Sequence, residues 1–232
     1  MAAPGDRPSS TVRTYVAGDR EALSALFERA GEGSPTGELW GHAASERSVY
    51  LDPYVEHCPD SLFLAERDGR LVGYLAGCPD PAALPAEDTL IGRALSSPRV
   101  LARPATIRFV GRSLGDVLSA RARRRPLASG SLEDPRWPAH LHMNLAPEAR
   151  GTGAAAALMD AWLEQLAHLR VPGCYLQTLA ENPRAVRFFG KAGFAAHGPA
   201  PLVPGVRHEG GRVHQVTMVR DVATPTDSDR GR

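Results

Sequence analysis

Apolar and polar positions recur along the chain with periods that separate strands from helices. Thr11 to Val16 alternates weakly and predicts a first strand. Gly18-Asp19 then opens a helix whose apolar face is Leu23, Leu26 and Phe27, spaced to share one helical side. Residues 31–37 read as a loop, and a second helical stretch falls within residues 38–57. The runs from Ser61 to Arg67 and from Leu71 to Gly77 read as two strands. Asp68-Gly69 between them is a strong hairpin signal. Residues 79–137 are less regular. They are rich in proline, with one weakly amphipathic helix near residues 105–121, and are expected to form an insertion packed beside the core.

From residue 140 the pattern sharpens. His140 to Leu145 is a strand, and Pro147 to Arg150 leads into a glycine turn. Ala154 to Leu169 is a helix with apolar positions Leu158, Trp162, Leu166 and Leu169. Gly173 to Leu179 is a strand and Pro183 to Ala192 a short helix. Gly193-Phe194 opens another strand, and Arg212 to Val219 closes the sheet. Trp137 and Trp162 are expected in the core. The pattern predicts an α+β fold: a mixed, mostly antiparallel sheet, interrupted by one βαβ unit, with helices on both faces. Residues 11–221 form the single domain, and the polar stretches 1–10 and 222–232 are expected to be disordered.

Composition narrows the function little. A hydrophobic content of 43% supports a core, and a net charge of +1 gives no argument for nucleic acid or an acidic membrane as partner. Lys191 is the only lysine; with so much Ala, Gly and Pro, this reads as coding bias. Cys58, Cys78 and Cys174 are scattered and odd in number, which indicates neither a disulfide framework nor a zinc site. No leader-like apolar run opens the chain and no stretch approaches the ~20 apolar residues of a membrane span. A cytoplasmic protein, monomer or homodimer, is the expectation.

The chemistry gathers at Arg150-Gly151-Thr152-Gly153-Ala154-Ala155, between a strand and a helix. The first amides of a helix lack intrahelical partners and sit at the positive end of its dipole. Glycines let a pyrophosphate approach the backbone, and Arg150 adds a charged donor. A tight turn explains an isolated Gly-x-Gly equally well. A dinucleotide fold fits Gly151, Gly153 and Ala156, but it expects an acidic residue ~20 positions on, and Glu181 lies too far along. No Gly-Lys-Ser/Thr comes after the turn, so a nucleotide-hydrolase loop fails.

Together with the segment from Asn182 to Phe194, the turn resembles the GNAT superfamily of N-acetyltransferases. Arg150, Gly153 and Ala155 match the family's cofactor signature, and Asn182, Ala185, Phe188, Phe189, Gly193 and Phe194 match its second motif. The likeness is close over residues 138–198. Tyr50-Leu51-Asp52-Pro53-Tyr54, the hairpin, and Trp137 through Leu145 further resemble the acetyltransferase-like C-terminal domain of O-GlcNAcases and its free-standing bacterial relatives. The resemblance implies acetyl-CoA as cosubstrate. Backbone groups of Met143, Asn144 and Leu145 would pair with the pantetheine arm, and amides from Arg150, Gly151, Thr152, Gly153, Ala154 and Ala155 would hold the pyrophosphate. Asn182 and Phe189 would lie near the pantetheine and thiol end.

Acyl transfer to an amine benefits from a base. His140 and His142, two apart on a strand, share a face with Asn144, and histidine titrates near neutrality. The pair resembles the His-Leu-His strand of arylalkylamine acetyltransferases, one residue out of register with the loop. Structural packing of either ring is an equal alternative, and no further donor stands at metal-ligand spacing. Asp52 and Tyr54 fall on the segment that rims the acceptor site in GNAT folds and could recognise an amine, with Glu56 and His57 more simply a solvated face. The basic run Arg121 to Arg125 could meet the CoA 3′-phosphate or an acidic acceptor, or be a solvated loop. Many relatives carry tyrosine where Phe189 stands, and phenylalanine has no proton to give a leaving thiolate. The expected function is direct acetyl transfer to a primary amine, a small amine or a protein lysine, in a ternary complex. The rival readings are a catalytically weak acyl-CoA-binding or interaction module and, less favoured, a dinucleotide-dependent oxidoreductase.

Overall fold

In the computed structural model, residues 10–31, 39–128 and 130–222 are described. The expected disorder at both termini and most of the 31–37 loop lie outside them. The elements are β1 (Thr11–Thr14), α1 (Arg20–Gly31), α2 (Ala43–Tyr50), α3 (Asp52–His57), β2 (Leu62–Arg67) and β3 (Arg70–Cys78). Three helices come next: α4 (Glu87–Ser96), α5 (Pro98–Leu101) and α6 (Pro104–Ala122). The rest are β4 (Ala139–Leu145), α7 (Ala154–His168), β5 (Gly173–Leu179), α8 (Pro183–Lys191), β6 (Ala195–His197), β7 (Leu202–His208) and β8 (Gly211–Asp221). No helix among the described residues is long and apolar enough to cross a membrane.

The strands form one sheet in the order β1-β2-β3-β4-β5-β8-β6, with β7 paired to β8. All neighbours are antiparallel except β4 and β5. Asp68-Gly69 turns β2 into β3, both residues taking positive φ (51° and 72°), as a two-residue hairpin of matching twist requires. Alternation in β4 sends Ala139 and Leu141 to one face, where α7 packs through Leu158, Met159, Trp162 and Leu166. His140, His142 and Asn144 therefore point to the opposite face, beneath α1, α2 and α3. There Leu23, Leu26, Leu51 and Tyr54 close a second apolar layer with Tyr74. Trp162 lies flat against Gly77, where a side chain would collide with its ring. Leu169, expected on the apolar face of α7, sits just past the helix end and is 54% exposed.

Residues 79–137 hold more structure than the sequence pattern predicts. The helix expected near 105–121 is α6; α4 and α5 are additions to that expectation. Pro98 and Pro104 occupy the first helical positions of α5 and α6, where a missing N–H costs nothing. α4 packs on α2, and α6 on β7. Strand β7, also absent from the sequence pattern, is fastened to α6 by Asp116. This carboxylate, 1% exposed as a side chain, accepts from the Gly205 amide at 2.9 Å and from Arg207 at 2.7 and 2.9 Å, and pairs with Arg212 at 3.0 Å.

Candidate active site

The sheet is forked. β4 and β5 pair only at Ala139↔Cys174 and His140↔Tyr175. Beyond these residues β4 stays with β3 through the Gly73↔Leu145 pair, and β5 stays with β8. The β5-facing backbone of Leu141–Leu145 is thus left without a strand partner, and buried backbone polar groups require one. At the open end of the fork, a single turn (Pro147–Ala149) leads to Arg150 and then to the start of α7. Gly151 and Gly153 have φ of 73° and 83°, and nothing lies within 4 Å of where their side chains would stand. Thr152 braces the turn: its hydroxyl donates to the Ala149 carbonyl at 2.8 Å and accepts from the Ala154 amide. The N-cap of α7 is Gly153, with no side-chain cap. The remaining first-turn amides therefore face open space beside Arg150, which has no ion-pair partner among the described residues. Such a cradle suits a pyrophosphate.

At the closed end of the fork lies a cavity of about 90 Å³. Its walls include His140 and Tyr175, the last paired residues, with His142, Tyr50, Tyr54 and Glu87. His140 Nε2 and the Tyr54 hydroxyl share a hydrogen bond of 2.8 Å. The rings of Tyr54 and His142 meet edge to face at 5.5 Å, those of Tyr50 and His142 at 6.0 Å. Burial lowers the pKa of His140 to about 3, with His142 adding to the effect, and burial lowers that of His142 to about 4. Both imidazoles are neutral at pH 7. Nδ1 of His140 is buried without a partner, whereas the ring nitrogens of His142 have no hydrogen-bond partner among the described residues and line the cavity. Burial also raises the hydroxyls of Tyr50 and Tyr54 above their ordinary range, so they remain protonated.

Comparison with known proteins bears on this geometry. The model of the acetyltransferase (GNAT) family matches residues 108–194, from mid-α6 through the glycine turn to the end of the second motif. Among solved structures, SsHAT superposes with a TM-score of 0.57 at 22% identity, covering 93% of this chain and 100% of its own. A candidate acetyltransferase of Salmonella typhimurium, yncA, solved with its cofactor acetyl-CoA, gives 0.56 at 13%, covering 93% and 95%. A GNAT superfamily phosphinothricin acetyltransferase from Sinorhizobium meliloti, in complex with acetyl-CoA, gives 0.55 at 15%, covering 94% of each chain. The fold is that of the GNAT acetyltransferases.

Within this GNAT fold the residues singled out in the sequence are distributed unevenly. His140, His142 and Tyr54 converge on the cavity. Met143, Asn144 and Leu145 line the fork, and the Asn144 side chain is already engaged, donating to the Tyr74 hydroxyl at 2.6 Å. Asp52 is not among the cavity residues; its carboxylate turns to Arg47 at 3.3 Å. Glu56 and His57 are exposed, Glu56 lying 3.7 Å from Arg20. Asn182 caps α8, its Oδ1 accepting from the Ala185 amide at 3.2 Å, so its side chain is committed to the helix. Phe189 is buried against Phe188 and Phe194. Arg123 and Arg125 flank a separate hollow with Arg212 and His214, away from the fork. Tyr50, singled out in the sequence only as part of the Tyr50–Tyr54 resemblance, also lines the cavity, and two further cavity residues, Tyr175 and Glu87, carry no signal in the sequence. A tyrosine at a paired strand position reads as core, and Glu87 reads as an ordinary acid in the first turn of a helix.

Proposed function

We propose that the protein is an acetyl-CoA-dependent N-acetyltransferase that moves an acetyl group to a primary amine by direct transfer in a ternary complex. The observation that carries this reading is the fork: an anion cradle at its open end, unpaired strand backbone along its length, and an aromatic cavity at its closed end. The yncA and Sinorhizobium meliloti structures, which share the fold, were solved with acetyl-CoA. In this reading the amides of Gly151 to Ala155, with Arg150, hold the pyrophosphate, and the backbone of Met143–Leu145 completes its hydrogen bonds on the pantetheine amides. Bound acetyl-CoA supplies the activated acyl group as a thioester.

The chain's own residues then act on the acceptor. Neutral His142 takes the proton that the amine nitrogen releases as its bond to the acyl carbon forms and the carbon–sulfur bond breaks. A base with depressed basicity suffices here, because the nitrogen becomes far more acidic once acylation begins. His140, tied to Tyr54, positions the ring beside it. The thiolate leaves without an acid from Phe189, since a thiolate is a stable leaving group. A second reading, an acyl-CoA-binding module of low activity related to the O-GlcNAcase domain, is favoured by that same Phe189, which offers no proton.

Calorimetry with acetyl-CoA, followed by thiol release over a panel of primary amines, tests the proposal. Saturable binding and amine-dependent thiol release are expected; binding with silence across the panel favours the second reading. Gly153→Arg fills the cradle and places a side chain at φ 83°. It should abolish acetyl-CoA binding while the fold survives by circular dichroism, and unchanged affinity would refute the loop assignment.

A further inference from the structure

The cavity at the closed end of the fork has an unusual charge balance. Its walls are mostly aromatic and aliphatic, with Ser131 and Gln177 as uncharged polar groups, and Glu87 is the only formally charged side chain among the described residues that line it. Both histidines are neutral, so neither compensates that charge. No arginine, lysine or histidine forms an ion pair with Glu87 among the described residues; Arg47, on the neighbouring α2, is spent on Asp52. What shares the cavity with the carboxylate are the hydroxyl-bearing rings of Tyr50, Tyr54 and Tyr175, each near enough to feel its charge. Burial raises the Glu87 carboxyl above its ordinary pKa, and the Tyr50 hydroxyl partly opposes the shift. A half-buried carboxylate among aromatic rings, without a cation, is costly to keep unless a cation arrives.

We infer that Glu87 and the rings of Tyr50, Tyr54 and Tyr175 form a recognition site for a primary alkylammonium, the protonated form of the acceptor. Three features of the cavity select that chemistry. The carboxylate pairs with the ammonium by charge-assisted hydrogen bonds, and the ammonium gives one proton to solvent water before the neutral nitrogen attacks the thioester. The ring faces attract a cation and tolerate the attached methylenes. The volume of about 90 Å³ holds an ammonium head and a short carbon stem, well above the ~10–15 Å³ that one water needs. Anionic acceptors are excluded by Glu87 itself. The same head group belongs to a free alkylamine and to a lysine side chain; the cavity recognises what the two share. Glu87 comes from α4, in the proline-rich stretch whose sequence pattern is irregular, so that stretch supplies the acceptor side of the site.

This inference rests on the transfer reading, and the experiment separates the two. Thiol release is measured for wild type and Glu87→Gln with butylamine, with a lysine-containing peptide, and with aniline, which is uncharged at pH 7. Glutamine keeps an acceptor for Tyr50 and removes the charge. The ratio of kcat/KM for butylamine to that for aniline should fall about 10- to 100-fold, with acetyl-CoA affinity retained, and the peptide, if accepted, should fall in parallel. A ratio that does not move would mean that Glu87 serves only the start of α4, and would overturn the inference. If wild type binds acetyl-CoA but acetylates nothing, the transfer reading has failed. Calorimetric binding of butylammonium then decides: loss in Glu87→Gln supports the site, and no binding to wild type, or equal binding to both, overturns it.

Discussion

At the scale of single residues, the two histidines differ in what surrounds them. His140 faces Tyr54, Tyr175 and His142, and its Nε2 is taken by Tyr54; His142 faces Tyr50 and Tyr54, and its nitrogens bond to nothing among the described residues. Their depressed pKa values have a consequence for stability. The unfolded chain protonates its histidines near 6.5, whereas the folded chain resists until about 4 and about 3. Stability from the neutral rings is therefore fully present above pH ~6.5 and is lost as pH falls through that window. Urea midpoints of wild type should drop between pH 6.5 and 4, and His142→Gln should flatten the slope by up to one proton, about 1.4 kcal/mol per pH unit. The same variant should lower kcat about a hundredfold with acetyl-CoA affinity kept; an unaltered kcat would remove His142 from the proton path. These histidines are legible in the sequence, because a strand places alternate residues on one face. Glu87 is not: packing of α4 on α2 brings it to the cavity that the histidines line, and no spacing in the sequence encodes that.

At the scale of elements, the legible parts are those whose pattern is local. The hairpin, β4, α7 and β5 stand within a residue or so of where periodicity puts them. β7 escapes detection because Pro204 and Gly205 interrupt its alternation. The α4 and α5 helices escape because they are short and the prolines around them read as irregularity, when Pro98 in fact marks the start of α5. What secures β7 is a long-range contact, Asp116 against Gly205, Arg207 and Arg212. Burial acts to raise the Asp116 pKa, but the donors from Arg207 and the Gly205 amide outweigh it and hold the carboxyl below its ordinary value. Its stabilisation is therefore present above pH ~4 and fades on further acidification. Asp116→Ala leaves two arginines facing a void and should cost about 3 kcal/mol at pH 7, read as a fall in the denaturation midpoint. Asp116→Asn should recover part of this by keeping the amide contact.

For the molecule as a whole, the order of the motifs announces the fold, because β4, the glycine turn, α7, β5 and α8 form one βαβ unit with its trailing helix, and that unit crosses the fork. The acceptor half is less legible, assembled from α2, α3, α4 and β4 across sequence distances that periodicity does not see. Across the fork the strands pair only at Ala139↔Cys174 and His140↔Tyr175, while one apolar layer under α7 spans both sides. Acetyl-CoA at a hundred times its dissociation constant should add about 2.7 kcal/mol to stability, seen as a raised Tm. Slowed amide exchange should be concentrated in Leu141–Leu145 and in Gly151 to Ala156. Uniform protection across the chain would argue against binding in the fork.

The fork also sets an order on events. A sheet joined by two residue pairs behaves as a clasp whose hinge is reinforced from behind: one apolar layer under α7 spans both sides of the joint and holds the gap open at a fixed width. A cosubstrate that lies between the halves acts as a missing strand. The walls of the acceptor cavity come from both sides of the joint, His142 from one and Tyr175 from the other. If the cosubstrate lies in the gap as proposed, an amine entering first would meet no acyl carbon between those walls, and loading the cosubstrate first is the expected order.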